Sequence, residues 1–334
     1  MAAKINLGVI GTGWITQDYV SHSLATGKFS LGAVYSRKQD TAKEFADKYV
    51  DQKASLYTSV DELASDKNID AVYIASPNLL HYEQAKTILN ADKHVILEKP
   101  ATATEKQLDE LFKLAEEKKV VLVEAYRHLQ ESNFKIIKQS IPKVGKLLGA
   151  NISYAQFSSR FNAVLKGEKP GVFDLAMAGG ALVDLGVYLV AAAIELFGEP
   201  ESSVYYPIII ATGADGGGTI IFKYKDFSAT LTPSKVYNST APCEIYGEKG
   251  TISWPTVTDI ESVTFWDPQK KGSKEELGVQ REKLNLKEEA LEHARIIQEK
   301  DWEAMKRWEA HSRSVVRVTE GLRRANGLLF PGEE

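Results

Sequence analysis

The chain has 334 residues, 43% of them apolar and 26% charged, and a formal charge of −4 at neutral pH. That length exceeds one ordinary hydrophobic core and predicts two domains. The small charge gives no electrostatic reason to expect a nucleic acid or an anionic membrane as partner. Cys243 is the single cysteine, which excludes an intrachain disulfide and fits a reducing, cytoplasmic setting. The N-terminal MAAKINLGVIG lacks the long apolar core of a signal peptide. No unbroken apolar run reaches the roughly 18 residues of a membrane span.

The first third alternates two textures. Short apolar, β-branched runs fall at 5–10, 31–35, 71–75, 94–97 and 120–123, with helical patterns between them at 40–49, 79–90 and 104–118. Continuous apolar strands separated by amphipathic helices predict a doubly wound parallel sheet, an α/β domain over residues 1–123. After Glu124 the texture changes. A helix is predicted over 128–140, an antiparallel strand in LLGANISYAQFSSRF, and an Ala/Leu-rich helix over 179–197. Strand patterns follow at 203–211, 218–224, 228–233, 243–246, 251–254 and 262–266, with GADGGG and GEKG read as turns, and helices at 287–307 and 311–326 close the chain. Residues 124–334 thus read as an α+β domain on a mostly antiparallel open sheet. Helices cover one face of such a sheet, and a second subunit is expected on the other, in a homodimer or homotetramer.

The glycine turn carries the first chemistry. Val9-Ile10 runs into Gly11-Thr12-Gly13, with a helix starting near Trp14. This is the strand–turn–helix context of a dinucleotide fingerprint: Gly11 for the tight turn, Gly13 for close approach of a pyrophosphate, and the N–H groups of Trp14 and Ile15 at the positive helix end. The third fingerprint position holds Thr16 instead of Gly or Ala, which puts close strand–helix packing in question. The second strand ends Tyr35-Ser36-Arg37-Lys38, with no acid before Asp40. A hydroxyl and two cations attract a 2′-phosphate where a carboxylate would repel it, so NADP is favoured over NAD. The fourth strand leads into Ser76-Pro77-Asn78 and a helix carrying His81, all candidate cofactor contacts; Asn78 is equally a good helix cap. The fifth strand ends VILEKP, placing Glu98 and Lys99 at the same sheet edge. An ammonium there can donate to a substrate oxygen or lower the pKa of a nearby acid; the plain alternative is a solvated strand end.

VIGTGWI, SPNLLH, LEKPAT and AGGALVDLGVYLV, in this order and spacing, resemble the Gfo/Idh/MocA oxidoreductases over nearly the whole chain. The resemblance implies a Rossmann domain followed by an α/β domain whose sheet pairs subunits, an active-site Lys99, and a Lys99–Pro100 bond that is often cis. It also implies an acid/base group in residues 179–190. There Asp184 and Tyr188 stand four apart, on one face if the stretch is helical. Inositol-dehydrogenase-like members hold His where this chain has Tyr188, and some carry a further Asp where it has Ala192, so the resemblance argues against an inositol-dehydrogenase-like site. The tyrosine resembles the branch of dimeric dihydrodiol dehydrogenase, xylose dehydrogenase and glucose–fructose oxidoreductase. An ordinary phenol, with a pKa near 10, is a poor base at neutral pH; Lys99 would assist if the domains bring it near Tyr188. Packing of Tyr188 as a core aromatic, and Asp184 as an orienting carboxylate, are the structural alternatives.

Arg127, at the domain junction, and Arg160 with Asn162, after the first long strand of the second domain, are weaker substrate candidates. No histidine stands in a zinc-binding spacing, so no metal is expected. These residues predict a cytoplasmic NAD(P)-dependent oxidoreductase acting on a sugar, polyol or diol: Tyr188 exchanges the hydroxyl proton, Lys99 polarises, and Asp184 orients. The rival is a non-catalytic dinucleotide-binding regulator of the same fold. Retention of both Lys99 and Tyr188 speaks against it, since a sensor needs no proton transfer. With the first strand so close to the N-terminus, a dissociable cofactor is expected.

Overall fold

The computed structural model describes residues 3–270 and 272–333. Two compact units emerge: residues up to Ala125 with Leu284–Arg313, and Tyr126–Lys283 with the residues from Ser314 onward. The sequence pattern places 284–313 with the second domain, whereas by spatial contact these residues cluster with the first unit.

The first unit is built on β1 (Ile5–Ile10), α1 (Trp14–Ala25), β2 (Phe29–Tyr35), α2 (Gln39–Ala46), β3 (Ser55–Tyr57), α3 (Val60–Ser65), β4 (Ala71–Ile74), α4 (His81–Asn90), β5 (His94–Glu98), α5 (Glu105–Lys118) and β6 (Leu122–Ala125). The sheet order is β3-β2-β1-β4-β5-β6, with every neighbouring pair parallel. All four β4 residues and the last four of β5 are buried, as a sheet covered on both faces requires. Strand order reverses between β1 and β4, so the turns after these strands open at the topological switch point. Local chemistry sets the helix ends. Thr104 caps α5 by accepting from Gln107 N–H at 3.3 Å, and Gln107 reaches back to Ala103 N–H at 3.3 Å. Leu108, Leu111, Phe112 and Ala115 form its buried stripe, and Lys119 ends it in the left-handed region at φ 55°. β3 and α3 were not foreseen. The strand has three partly exposed residues and the helix six, capped by Ser59 accepting from Glu62 N–H.

The second unit holds α6 (Arg127–Gln130), α7 (Ser132–Ser140), β7 (Leu147–Ala155), α8 (Phe161–Leu165), α9 (Val187–Phe197), β8 (Ser202–Ile209), β9 (Asp215–Lys223), β10 (Ser228–Ser234), β11 (Cys243–Gly247), β12 (Gly250–Trp254), β13 (Thr264–Trp266) and β14 (Lys274–Glu276). The chain closes with α10 (Lys287–Glu299), in the first unit, and α11 (Trp302–Arg324), within which the second boundary falls. The second sheet runs β14-β13-β12-β11-β7-β10-β9-β8. It is antiparallel except for β7 and β10, which pair in parallel from Ala150–Ala229 to Ala155–Ser234. β7 is therefore antiparallel to β11 alone, which corrects the simple antiparallel reading of this strand.

Three further expectations change. The helix predicted over 128–140 breaks at Glu131, which turns to ψ 134° while its carboxylate accepts from Asp259 and Ile260 N–H, both at 2.8 Å. The break predicted near residue 308 lies earlier, where Lys300 is left-handed at φ 52° and Asp301 accepts from Ala304 N–H at 3.0 Å. GADGGG is not wholly a turn, since β9 begins at Asp215 and runs through three glycines. A methyl group at Gly218 would overlap the Tyr206 carbonyl of the neighbouring strand, so close backbone approach explains these glycines. Finally, residues Leu175–Phe197 include a window long and apolar enough for a membrane span, contrary to the reading of unbroken runs, but 83% of that window is buried inside the protein.

Candidate active site

At the switch point of the first unit, Gly11 has φ +104°, and a Cβ there would lie 2.6 Å from the Ala75 carbonyl oxygen. Glycine is thus required both by conformation and by close approach of the β4 turn. Gly13 caps α1 in extended conformation without a side-chain cap, and a Cβ on it meets nothing within 4 Å. The first N–H groups of α1, on Trp14 and Ile15, therefore border open space at the positive end of a helix of 12 residues. This cradle fits a pyrophosphate. Thr16 is fully buried, so the third fingerprint position packs closely without glycine, although its Oγ1 has no hydrogen-bond partner among the described residues.

Ser36 follows β2 and donates its N–H to Tyr57 O at 3.1 Å. Arg37 and Lys38 beyond it are exposed, and Lys38 occupies the N-cap position of α2. After β4, Ser76 Oγ donates to Gln84 Oε1 at 2.6 Å, Pro77 is exposed, and Asn78 opens a single 3₁₀ turn. His81 is buried, with Nδ1 2.9 Å from Pro100 O and Nε2 2.9 Å from Ser76 O. Burial pushes its imidazole pKa down, and Lys99 adds to this. Both ring nitrogens thus face main-chain carbonyls, tying the β4 turn to the β5 turn.

The β5 turn is held from several sides. Tyr73 Oη donates to Glu98 Oε1 at 2.6 Å, and Lys99 N–H donates to Glu98 Oε2 at 3.2 Å. Ala101 N–H donates to Glu124 Oε1 at 2.8 Å. Glu98 is buried and its carboxylate is engaged by Tyr73, a role the sequence reading, which placed it with the cofactor, did not give it. Lys99 is half-buried and the Lys99–Pro100 bond is cis. Tyr73 in turn stacks on Tyr19 of α1, ring centres 3.9 Å apart and 3° from parallel.

In the second unit, α9 is preceded by a π-helical turn, Leu182–Gly186, which carries Asp184, and Tyr188 follows in the first turn of α9. Such turns recur at functional sites. The half-buried Tyr188 ring lies 4.9 Å from the His128 ring and edge-on to Tyr154 at 5.6 Å, while His128 Nε2 lies 3.1 Å from the Tyr188 carbonyl. Asp184 forms an ion pair with the buried Lys235. At the helix entrance Asp215 accepts from Leu182 N–H at 2.6 Å and from Tyr205 Oη at 2.8 Å. A methyl at Gly180 would overlap Asp215 Oδ1. Lys235, Asp215, Tyr205 and His128 were not singled out in the sequence. A lysine directly after a strand, the signal that flagged Lys99, was available for Lys235.

The two arginine candidates fare differently. Arg127 donates to Asp259 at 2.7 Å, and Asp259 also pairs with Arg281 at 2.6 Å, so this guanidinium belongs to an internal network. Arg160 is exposed at the start of α8, as is Asn162 one residue in. Among the described residues no group of three His, Cys, Asp or Glu side chains is placed to hold a metal ion.

Residues 5–126 match the profile described as "Oxidoreductase family, NAD-binding Rossmann fold", and residues 142–253 match the GFO/IDH/MocA C-terminal domain. The chain is 36% identical over 332 residues to YgjR of Escherichia coli, described as an uncharacterized oxidoreductase, covering 98% of both chains. The chain belongs to the Gfo/Idh/MocA oxidoreductase family. It is also 35% identical over 330 residues to IolU of Bacillus subtilis, described as scyllo-inositol 2-dehydrogenase (NADP(+)), covering 99% of both. A 3-ketoreductase from Actinomadura kijaniata, solved with NADP and TDP-benzene, shares the fold at a TM-score of 0.79 and 20% identity, over 96% of this chain and 98% of that one. As a Gfo/Idh/MocA member the chain is an NAD(P)-dependent dehydrogenase or reductase, and the cradle at Gly11–Ile15 fits that cofactor.

Proposed function

We propose that this protein interconverts a secondary alcohol of a polyol, sugar or diol with its carbonyl, using NADP in preference to NAD. The nicotinamide cofactor supplies the hydride chemistry when bound. The chain's own residues do the rest. The N–H groups following Gly13 receive the pyrophosphate, and Arg37 and Lys38 receive a 2′-phosphate. Lys99 supplies a fixed positive charge for the reacting oxygen, Tyr188 exchanges the hydroxyl proton, and Asp184 orients the tyrosine's turn. The observation that carries this reading is the Lys99 turn at the carboxyl end of β5, held through Glu98, Pro100 and Ala101 by Tyr73, His81 and Glu124. So much fixation serves a side chain whose aim matters. The substrate class is supported by similarity to IolU. A cytosolic setting and a homo-oligomer paired through the second sheet complete the proposal.

The test is turnover of NADP and NAD with a panel of scyllo-inositol, other inositols, aldoses and vicinal diols. Lys99→Met and Tyr188→Phe should each lower kcat by roughly 10²–10⁴-fold, the usual worth of a proton-transfer group. NADPH affinity, read by its fluorescence on titration, should change less than about threefold, because uniform cofactor binding is not what these groups provide. Wild-type turnover in either variant overturns the assignment.

A further inference from the structure

Lys235 stands one residue beyond β10 and is held by its own backbone: its N–H donates to Gly216 O at 2.8 Å, and its carbonyl accepts from Ser158 N–H at 2.9 Å. The ammonium pairs with Asp184 and lies 5.3 Å from the centre of the Phe173 ring. The pair is asymmetric, since the lysine side chain is 6% exposed and that of Asp184 is 35% exposed. The cation is therefore the inner end and the carboxylate the outer end, on the turn that leads into Tyr188.

A second carboxylate stands behind. Asp215 is 2% exposed, fixes Leu182 N–H at the helix entrance and accepts from Tyr205. Burial pushes its pKa up, and Tyr205, Leu182 N–H and the Lys235 charge pull it back. Taking an ammonium out of water costs several kcal/mol, and apolar side chains of similar volume would serve packing as well or better. A retained buried cation next to a carboxylate of the reacting helix points to electrostatic placement.

We propose that Lys235 is a positioning residue for the reaction: its ammonium holds the Asp184 carboxylate in place on the π-helical turn that carries the chain into Tyr188. The proposal rests on the reading above that Asp184 and Tyr188 serve catalysis. Lys235 acts through Asp184, not on substrate.

Variants at Lys235 and Asp184 test it with NADP and whichever polyol or sugar the panel shows to be turned over. Lys235→Ala should lower kcat about a hundredfold, in the range for removing one preorganised charge, with KM and NADPH affinity changed less than about threefold. Propylammonium, which restores a cation to the vacated space, should recover at least about tenfold of the loss, while sodium at equal ionic strength recovers none. In an Asp184→Asn background Lys235→Ala should cost nothing further, because a group acting through Asp184 has nothing left to act on. Should Lys235→Ala not fold, Lys235→Met keeps the stem and the same comparison. An inactive Asp184→Asn beside a Lys235 variant of normal kcat overturns this inference alone, as does a folded Lys235→Ala that no amine rescues. A fully active Asp184→Asn, or a panel without turnover, overturns the functional reading and this inference with it.

Discussion

At the scale of single residues, the proposed preference for NADP over NAD rests on Arg37. It stands exposed after β2, beside Lys38, and neither forms an ion pair among the described residues; the next acid, Asp40, lies in the first turn of α2. A guanidinium with idle donors matches a phosphate dianion by paired hydrogen bonds, each charge-assisted contact being worth about 1.5–3 kcal/mol. Arg37→Glu should therefore raise KM for NADP by roughly 10–100-fold and leave KM for NAD within about threefold. An equal rise for both cofactors would place Arg37 in the general fold of the loop and not at the 2′-phosphate. Arg37 and Lys99 are legible in sequence because each follows an apolar strand and its meaning comes from that position. Lys235 has the same local setting, yet its partner Asp184 lies 51 positions away, and Asp215 meets Leu182 across 33. A strand-end lysine gains significance only when the fold pairs it, and no local pattern records that pairing.

At the scale of elements, period and punctuation carried most of the first unit. Continuous apolar runs at β1, β4 and β5 and the Thr104-to-Lys119 helix have unambiguous signals. β3 and α3 are too short to show a period, and the glycines of β9 mimic a turn because close strand packing and turn formation ask for the same residue. The parallel pairing of β7 with β10 was invisible, since alternation fixes a strand's faces and not its partner's direction. α10 has a clear helical pattern, but its grouping with the first unit depends on tertiary contacts that no local pattern records. Its buried face, including Glu289, Ala290, His293 and Ala294, packs against α1, where His293 Nδ1 lies 3.1 Å from Tyr19 Oη. Burial pushes the His293 imidazole down to about 4, only partly countered by Glu292. In the unfolded chain the ring titrates near 6.5. Below that pH the unfolded state takes up a proton that the folded state refuses, so stability is full above about 6.5 and falls as pH drops toward 4. Between pH 7.5 and 4.5 this amounts to about 2.5 kcal/mol. Urea unfolding of wild type and His293→Gln at both pH values should show the variant losing about 2 kcal/mol less on acidification; identical losses would mean that the site admits the charged ring. His81 and His94, also pushed down by burial, remain in both proteins and cancel from the difference.

At the scale of the whole molecule, the outer edge of the second sheet presents an apolar surface to account for. β8 is an edge strand of the second sheet, and Val204, Tyr206 and Ile208 alternate along it at 40%, 62% and 43% exposure. On β9, Ile221 stands in register with Val204 and is 37% exposed, so these side chains share one face. A single exposed aliphatic residue needs no explanation, but a contiguous set on an open sheet marks a surface that buries against another molecule. A second copy is the simplest occupant, because a two-fold axis lets the same face serve both partners. A stable pairing of this kind removes on the order of 1,200–2,000 Å² from water in total. Light scattering on purified protein should then give a multiple of the 36.9 kDa chain mass. Val204→Lys combined with Tyr206→Lys introduces two ammonium groups per chain that the proposed pairing would have to take out of water, and should shift the species to 36.9 kDa at micromolar concentration. Neither position is among the residues proposed to bind cofactor or move the proton, so NADPH affinity should survive in the separated chains. A wild-type protein that runs as a single chain at high concentration, or a doubly substituted one that keeps the wild-type mass, would assign this face to some other use.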